Sequence, residues 1–241
     1  MRLTRRTLLA GTAAVPLAGA TVMPAVASSG GGVSVKDRIN ELVDRYHDGV
    51  APIVALGQMV LRRQAVRFDG QVDDSVLLAF TELLRRTNKV APGVGLAAPQ
   101  VGVPVQIAVM EDPAPVPAEI AEARQRYPLE YFAAINPEYR PVGSKRRGFF
   151  EGCLSMPGWA GVVNRPLSVQ ATYLDVAGQV RRRAFDGWQA RIVQHEFDHL
   201  RGVVYVDKVE PRSLSTIEAY LANWSQPVPT KAARELGFRL D

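Results

Sequence analysis

The chain has 241 residues, enough for one domain with appendages and a sizeable core. A formal charge of +5 without aromatic–basic interleaving argues against a nucleic-acid partner. The single cysteine, Cys153, excludes an internal disulfide framework, and no internal repeat is present.

Residues 1–27 read as an address. Thr4-Arg5-Arg6-Thr7-Leu8-Leu9 resembles a twin-arginine export signal, and Ala25-Val26-Ala27 is a small-residue cleavage site. Pro16, Pro24 and several glycines oppose a stable membrane span. The segment carries three arginines and no acid, so the remainder is only +2. Export to the envelope or medium is the expectation. Met23 offers a downstream start, which would leave a cytoplasmic chain.

Residues 28–50 read as a linker and helical extension. Ser34 caps a helix on which Val35, Ile39, Leu42, Val43 and Tyr46 form an apolar stripe. His47, near its end, reads as a surface residue. Residues 52–68 are an extended lead-in. Asp73 and Asp74 open a second helix, with Val76, Leu77, Phe80, Leu83 and Leu84 on one face. The stretch from Gly93 to Gln100 reads as a loop feeding a strand, Val105 to Met110. No Lys-Ser/Thr follows it and no helix opens there, so it is not a phosphate loop.

Residues 111–128, rich in Pro, Ala and Glu, read as a surface insertion. A short strand, Phe132 to Ile135, ends at Asn136-Pro137. Phe149 to Leu154 is extended. Leu167–Leu174 and Val180–Phe185 form a hairpin about Val176-Ala177-Gly178. Lys145-Arg146-Arg147 and Arg181-Arg182-Arg183 read as solvated faces. A last helix spans about Ser213 to Trp224, and the tail after Gln226 is expected to be loosely held. The division is a catalytic domain at 51–210 and a C-terminal helix and tail at 211–241. The fold class is α+β, with antiparallel or mixed sheets wrapped around a central helix.

That helix lies between Asp186, an N-cap type, and Gly202, a C-terminal stop. It carries His195-Glu196-Phe197-Asp198-His199, two of the three histidines of the chain. Positions i and i+4 share a face, so both imidazoles can reach one divalent metal, with Glu196 placed as a general base. Trp188, Ile192, His195 and His199 continue one inward line, where buried imidazoles need partners. A catalytic site usually has a third protein ligand. Another carboxylate or Cys153 would serve; the thiolate is the softest donor in the chain. Asp198 lies off the ligand line and suits orienting a neighbour. Arg191, one turn before His195, faces either solvent or an acid.

Three segments together resemble peptide deformylase. They are Gly93-Val94-Gly95-Leu96-Ala97-Ala98-Pro99-Gln100, Glu151-Gly152-Cys153-Leu154-Ser155 and Gln194-His195-Glu196-Phe197-Asp198-His199, within a similarity from about Pro52 to Val209. The resemblance implies Cys153, His195 and His199 as metal ligands and Glu196 as acid/base. It implies the Gln100 amide and the Leu154 N–H as oxyanion donors. The substrates implied are N-formylmethionyl peptides or nascent-chain N-termini, releasing formate. Ferrous iron is implied as the native metal, with zinc able to replace it; nickel and cobalt also suit the ligands. Gly95 is expected to pair with substrate backbone. Val94, Trp188 and Ile192 are candidates for the methionine pocket, and core packing alone also accounts for Trp188. The alternatives are an exported zinc peptidase or amidase, with Asp207 or Glu210 completing its site, and a non-catalytic metal- or formyl-peptide-binding module.

Overall fold

The computed structural model describes residues 33–114 and 116–240. The export segment and residues 28–32 lie outside these. Helix α1 spans Val35–Arg45, and the Ser34 hydroxyl caps it by accepting the Asp37 N–H. Its buried Ile39 and Leu42 pack on α2, Asp74–Val90, through Leu77, Phe80, Leu83 and Leu84. His47 is exposed, as expected. The extended lead-in holds one short 3-10 turn, Met59–Leu61, and Val66 bridges Val105.

Strand β1 is Gly95–Ala97, β2 is Ile107–Asp112, and helix α3 is Ala118–Arg124. Strands β3, Leu129–Pro141, β4, Arg146–Cys153, and β5, Met156–Pro166, follow. Then come β6, Ser168–Leu174, β7, Val180–Asp186, and helix α4, Gly187–His199. The chain ends with β8, Ser215–Thr216, and helices α5, Ile217–Asn223, and α6, Thr230–Leu236. One sheet runs β1-β2-β3-β6-β7 and a second β4-β5-β8. Every strand pair is antiparallel. The α+β expectation with a central helix therefore holds.

The five-stranded sheet is buried on both faces where it meets helices. Leu96, Ile107, Val109, Ala133 and Ile135 join the α1–α2 core. Alternate residues Ala97, Ala108, Met110 and Ala134 join the α4 core with Ile192, Val193 and Phe197. The alanines on that face let α4 lie close to β1. Burying a side chain such as Phe197 contributes roughly 1.5–3 kcal/mol. Strand β5 also touches α4, so the helix sits between the sheets. Asp186 occupies its N-cap position but makes no capping bond; its carboxylate accepts from Ser168 instead. Gly202 turns the chain at φ +75°, where a Cβ would strike the Arg62 backbone.

Five expectations need correction. Residues 95–97, read as loop, are a strand; Gly-Leu-Ala carries no period-2 signal, and its partner β2 defines it. Strand β3 continues past Asn136 to Pro141. Asn136 takes φ +50°, its amide bonds both backbone groups of Phe68, and the register shifts there without ending the strand. Strand β5 was not anticipated, because Pro157, Gly158 and Gly161 break its pattern. Residues 111–128 are more than a surface insertion: they contain α3 and anchor to β2 through the buried Arg126–Asp112 ion pair. The last helix is shorter than expected, and the tail is docked. Ala232 of α6, with Leu236, Phe238 and Leu240, packs on Phe150 and Val162.

Candidate metal centre and active site

Helix α4 brings His195 and His199 together, with ring centroids 5.1 Å apart. The end of β4 brings Cys153, where a register shift between Glu151 and Cys153 turns the strand. Cys153 Sγ lies 3.3 Å from His199 Nε2. One ligand atom from each of Cys153, His195 and His199 falls within 4.8 Å of the others, the only such cluster among the described residues. Asp207 is occupied by Arg62 and the Val204 N–H, and neither it nor Glu210 joins the cluster.

The His195 ring is aimed by a buried carboxylate. Its Nδ1 lies 3.0 Å from Glu151 Oε2, leaving Nε2 for the cluster. Burial alone would lower His195, but the Cys153 thiol and Glu151 outweigh it and hold the ring well above its usual range. His199 has no such support; burial holds it well below.

Glu151 is the hub of a network. It accepts from Arg165 at 2.7 and 3.0 Å and from Arg191. Arg165 also reaches Asp198 at 2.7 Å, which accepts from Lys208 and the Tyr139 hydroxyl. Asp198 thus orients neighbours, as its position on the helix suggested, and Arg191 faces inward to an acid. Burial alone would raise the Glu151 carboxyl, yet the two arginines hold it well below the usual carboxylate range. A depressed carboxyl stabilises the fold above its unfolded value near 4.5, and that stability is lost as pH falls through the folded value. Replacing Arg165 by methionine takes from two buried carboxylates the cation they share, leaving Glu151 with Arg191 and Asp198 with Lys208. We expect a loss of about 3–5 kcal/mol in urea unfolding and a flatter decline in stability below pH 4.5. An unchanged midpoint would show that the network contributes nothing.

Glu196 points from the same helix toward β1. A Cβ on Gly95 would overlap its carboxyl group, which is why that strand position holds glycine. Burial pushes the Glu196 carboxyl up to about 7. Its Oε2 has no partner among the described residues. The Gln100 Oε1 accepts the Ala97 N–H at 2.9 Å, so its amide nitrogen is turned inward. That nitrogen lies 3.6 Å from Cys153 Sγ and 3.4 Å from Ser155 Oγ.

These groups open onto a cleft. Gln100, Cys153, His195 and Glu196 line its polar side. Val94, Gly95, Leu154, Trp188 and Ile192 line the rest. Every site residue expected from the sequence therefore lies on this cleft except His199, which is fully buried behind it within the ligand cluster. Sequence reasoning gave no role to Glu151, Ser155 or Arg165. Glu151 and Ser155 flank Cys153 in the quoted segment, which was their only signal. Arg165, in the middle of an unforeseen strand, had none.

The model of the family "Polypeptide deformylase" matches residues 50–214. "Peptide deformylase 3" of Streptomyces avermitilis is 54% identical over 204 residues, spanning 85% of this chain and 90% of that protein. "Peptide deformylase" of Bifidobacterium adolescentis is 43% identical over 192 residues, 79% of this chain and 88% of the relative. Among solved structures, the Met-Ala-Ser-bound class I type b peptide deformylase from Acinetobacter baumannii aligns with a TM-score of 0.60. It is 30% identical and covers 66% of this chain and 98% of its own.

Proposed function

Since this chain belongs to the polypeptide deformylase family, we propose that Cys153, His195 and His199 hold one divalent metal beside which Glu196 and Gln100 carry out N-formyl hydrolysis. The chain is a hydrolase that removes the N-formyl group from nascent peptides. What supports the residue assignment most is one juxtaposition: a buried thiol and two imidazoles within 4.8 Å, at a cleft lined by Glu196 and Gln100. One thiolate and two imidazoles suit ferrous iron, our proposal for the native metal, and also zinc, nickel or cobalt. When bound, the metal supplies Lewis acidity toward a water and the formyl carbonyl.

The protein groups do the rest. Glu196 accepts a proton from the attacking water and returns it to the amine as the C–N bond breaks, releasing formate and a free N-terminus. The Gln100 amide and the Leu154 N–H donate to the oxyanion as the carbonyl carbon becomes tetrahedral. The Gly95 backbone pairs with the extended peptide, and Val94, Trp188 and Ile192 receive the first side chain. Peptide recognition of this type is supported by the Acinetobacter structure, which is bound to Met-Ala-Ser.

Anaerobically purified, iron-loaded protein should release formate from formyl-Met-Ala-Ser, and absence of formate from metal-loaded protein would reject this assignment. Gln100→Ala should lower kcat about 10²–10³-fold with little change in KM, since the donor acts on charge that develops at the transition state. Gly95→Ala should lower activity about 10²-fold, because the new methyl displaces the Glu196 carboxylate. An active Gly95→Ala enzyme would show that this contact does not position the base.

Location is a separate proposal. Among the described residues no helix is long and apolar enough to cross a membrane. Arg5-Arg6 and Ala25-Val26-Ala27 support export by the twin-arginine route. N-terminal sequencing of an extracellular fraction should then begin at Ser28. Protein confined to the cytosol would reject export and favour a downstream start.

A further inference from the structure

One buried hydroxyl beside the metal cluster has no part in the hydrolysis. Ser155 lies in the turn between β4 and β5, after Leu154, and is closed off from solvent. It does not line the cleft. Its Oγ lies 3.4 Å from Nε2 of Gln100, which is also buried. Gln100 is the group that needs holding, because only the nitrogen end of its amide can donate to an oxyanion.

Two contacts define how that amide sits. The Ala97 N–H donates to Oε1 at 2.9 Å, which occupies the oxygen end and turns the nitrogen toward the cluster. The nitrogen carries two hydrogens that point in different directions. Ser155 Oγ lies to one side of it, and Cys153 Sγ, at 3.6 Å, is its other neighbour. One hydrogen therefore faces the hydroxyl, and the other is left on the side of the metal ligands. A separation of 3.4 Å is long for such a bond, but hydrogen bonds in a catalytic site often tighten only when the substrate is bound.

The backbone sets the separation of the two residues. The Val54 N–H donates to the Gln100 carbonyl at 2.8 Å, and the Leu56 N–H donates to the Ser155 carbonyl at 2.6 Å. Val54 and Leu56 pack their side chains against Leu61, Cys153 and Val163. One short stretch of the lead-in thus ties the 3-10 turn Ala98–Val101, which carries Gln100, to the turn that carries Ser155.

We propose that Ser155 is a positioning residue whose hydroxyl oxygen accepts one Gln100 Nε2–H and so aims the other at the oxyanion. The proposal rests on the deformylase reading and deepens it. Ser155 then acts only through Gln100, and a double-mutant cycle isolates that dependence.

With iron-loaded protein and formyl-Met-Ala-Ser, Ser155→Ala should lower kcat about fivefold at unchanged KM, the effect of one neutral hydrogen bond felt in the transition state. In the Gln100→Ala background the same replacement should change kcat less than about 1.5-fold. Ser155→Gly, which also lacks the oxygen, repeats the cycle if the alanine variant does not fold. A role confined to packing would instead lower kcat by the same factor in both backgrounds. A second readout needs no turnover. In zinc-loaded protein the two Gln100 Nε2 protons are identified by their absence in Gln100→Ala. One of them should move upfield in Ser155→Ala while the other holds. Equal losses in the two backgrounds, an unchanged kcat in Ser155→Ala, or two unmoved resonances would each overturn the proposal. A moved resonance with no formate from the unmodified protein would reject the deformylase assignment and keep the amide–hydroxyl contact. Formate release with equal losses would do the reverse.

Discussion

Replacing Glu196 by glutamine should lower kcat for formate release by about 10²–10⁴-fold while the protein keeps its metal. The carboxyl is 4% exposed, pressed against the β1 backbone at Gly95, and pushed up to about 7 by burial. A group with that value both accepts and returns a proton near neutrality, as amide hydrolysis requires. Glutamine keeps the shape and the close approach at Gly95 but cannot take up the proton. The pH profile should respond as well. Only the ionised carboxylate accepts a proton, so kcat/KM should rise with pH through an acidic limb. A bound cation favours the ionised form, so the limb should lie at or below pH 7. Glu196→Gln should abolish it. A glutamine variant with a normal rate and an intact limb would assign the base elsewhere.

Replacing Cys153 by serine should release the metal. The thiol is buried and lies 3.3 Å from His199 Nε2, and it is the only thiol in the chain. Serine fits the space, but its hydroxyl stays protonated at neutral pH, so the cluster loses its anionic ligand. Loss of a partner that merely orients a ligand already costs 10–100-fold in affinity, and loss of the ligand itself should exceed about 10²-fold. Metal content after dialysis against a chelator should fall from one per chain to near zero, and formate release with it. Full occupancy in Cys153→Ser would favour the peptidase alternative, which makes no use of Cys153. The structure already weighs against that alternative: Asp207 is committed to Arg62, and Glu210 lies outside the cluster.

The parts of the site on α4 were legible because helical periodicity places i and i+4 on one face. His195 and His199 needed no knowledge of the rest of the fold. Cys153 and Gln100 carry no periodic signal; the resemblance of their short flanking segments identified them, and the packing of β4 and β1 against α4 brings them together. Arg165, Tyr139 and Lys208 were illegible, since the charge network joins distant strands and loops with ordinary residues. The same limit hid β1, three small residues defined by their partner, and α6, whose apolar side chains find their surface only on Phe150 and Val162. The role of residues 111–128 was also concealed. Pro, Ala and Glu suggest an exposed loop, yet Arg124 and Arg126 from this segment flank the Trp188 indole.

The central claim is a ligand set, and X-ray absorption at the metal edge of the zinc-loaded protein tests it most directly. The account predicts one sulfur near 2.3 Å and two imidazole nitrogens near 2.0–2.1 Å on a single metal. A shell without sulfur, or with a carboxylate in place of one imidazole, would contradict it.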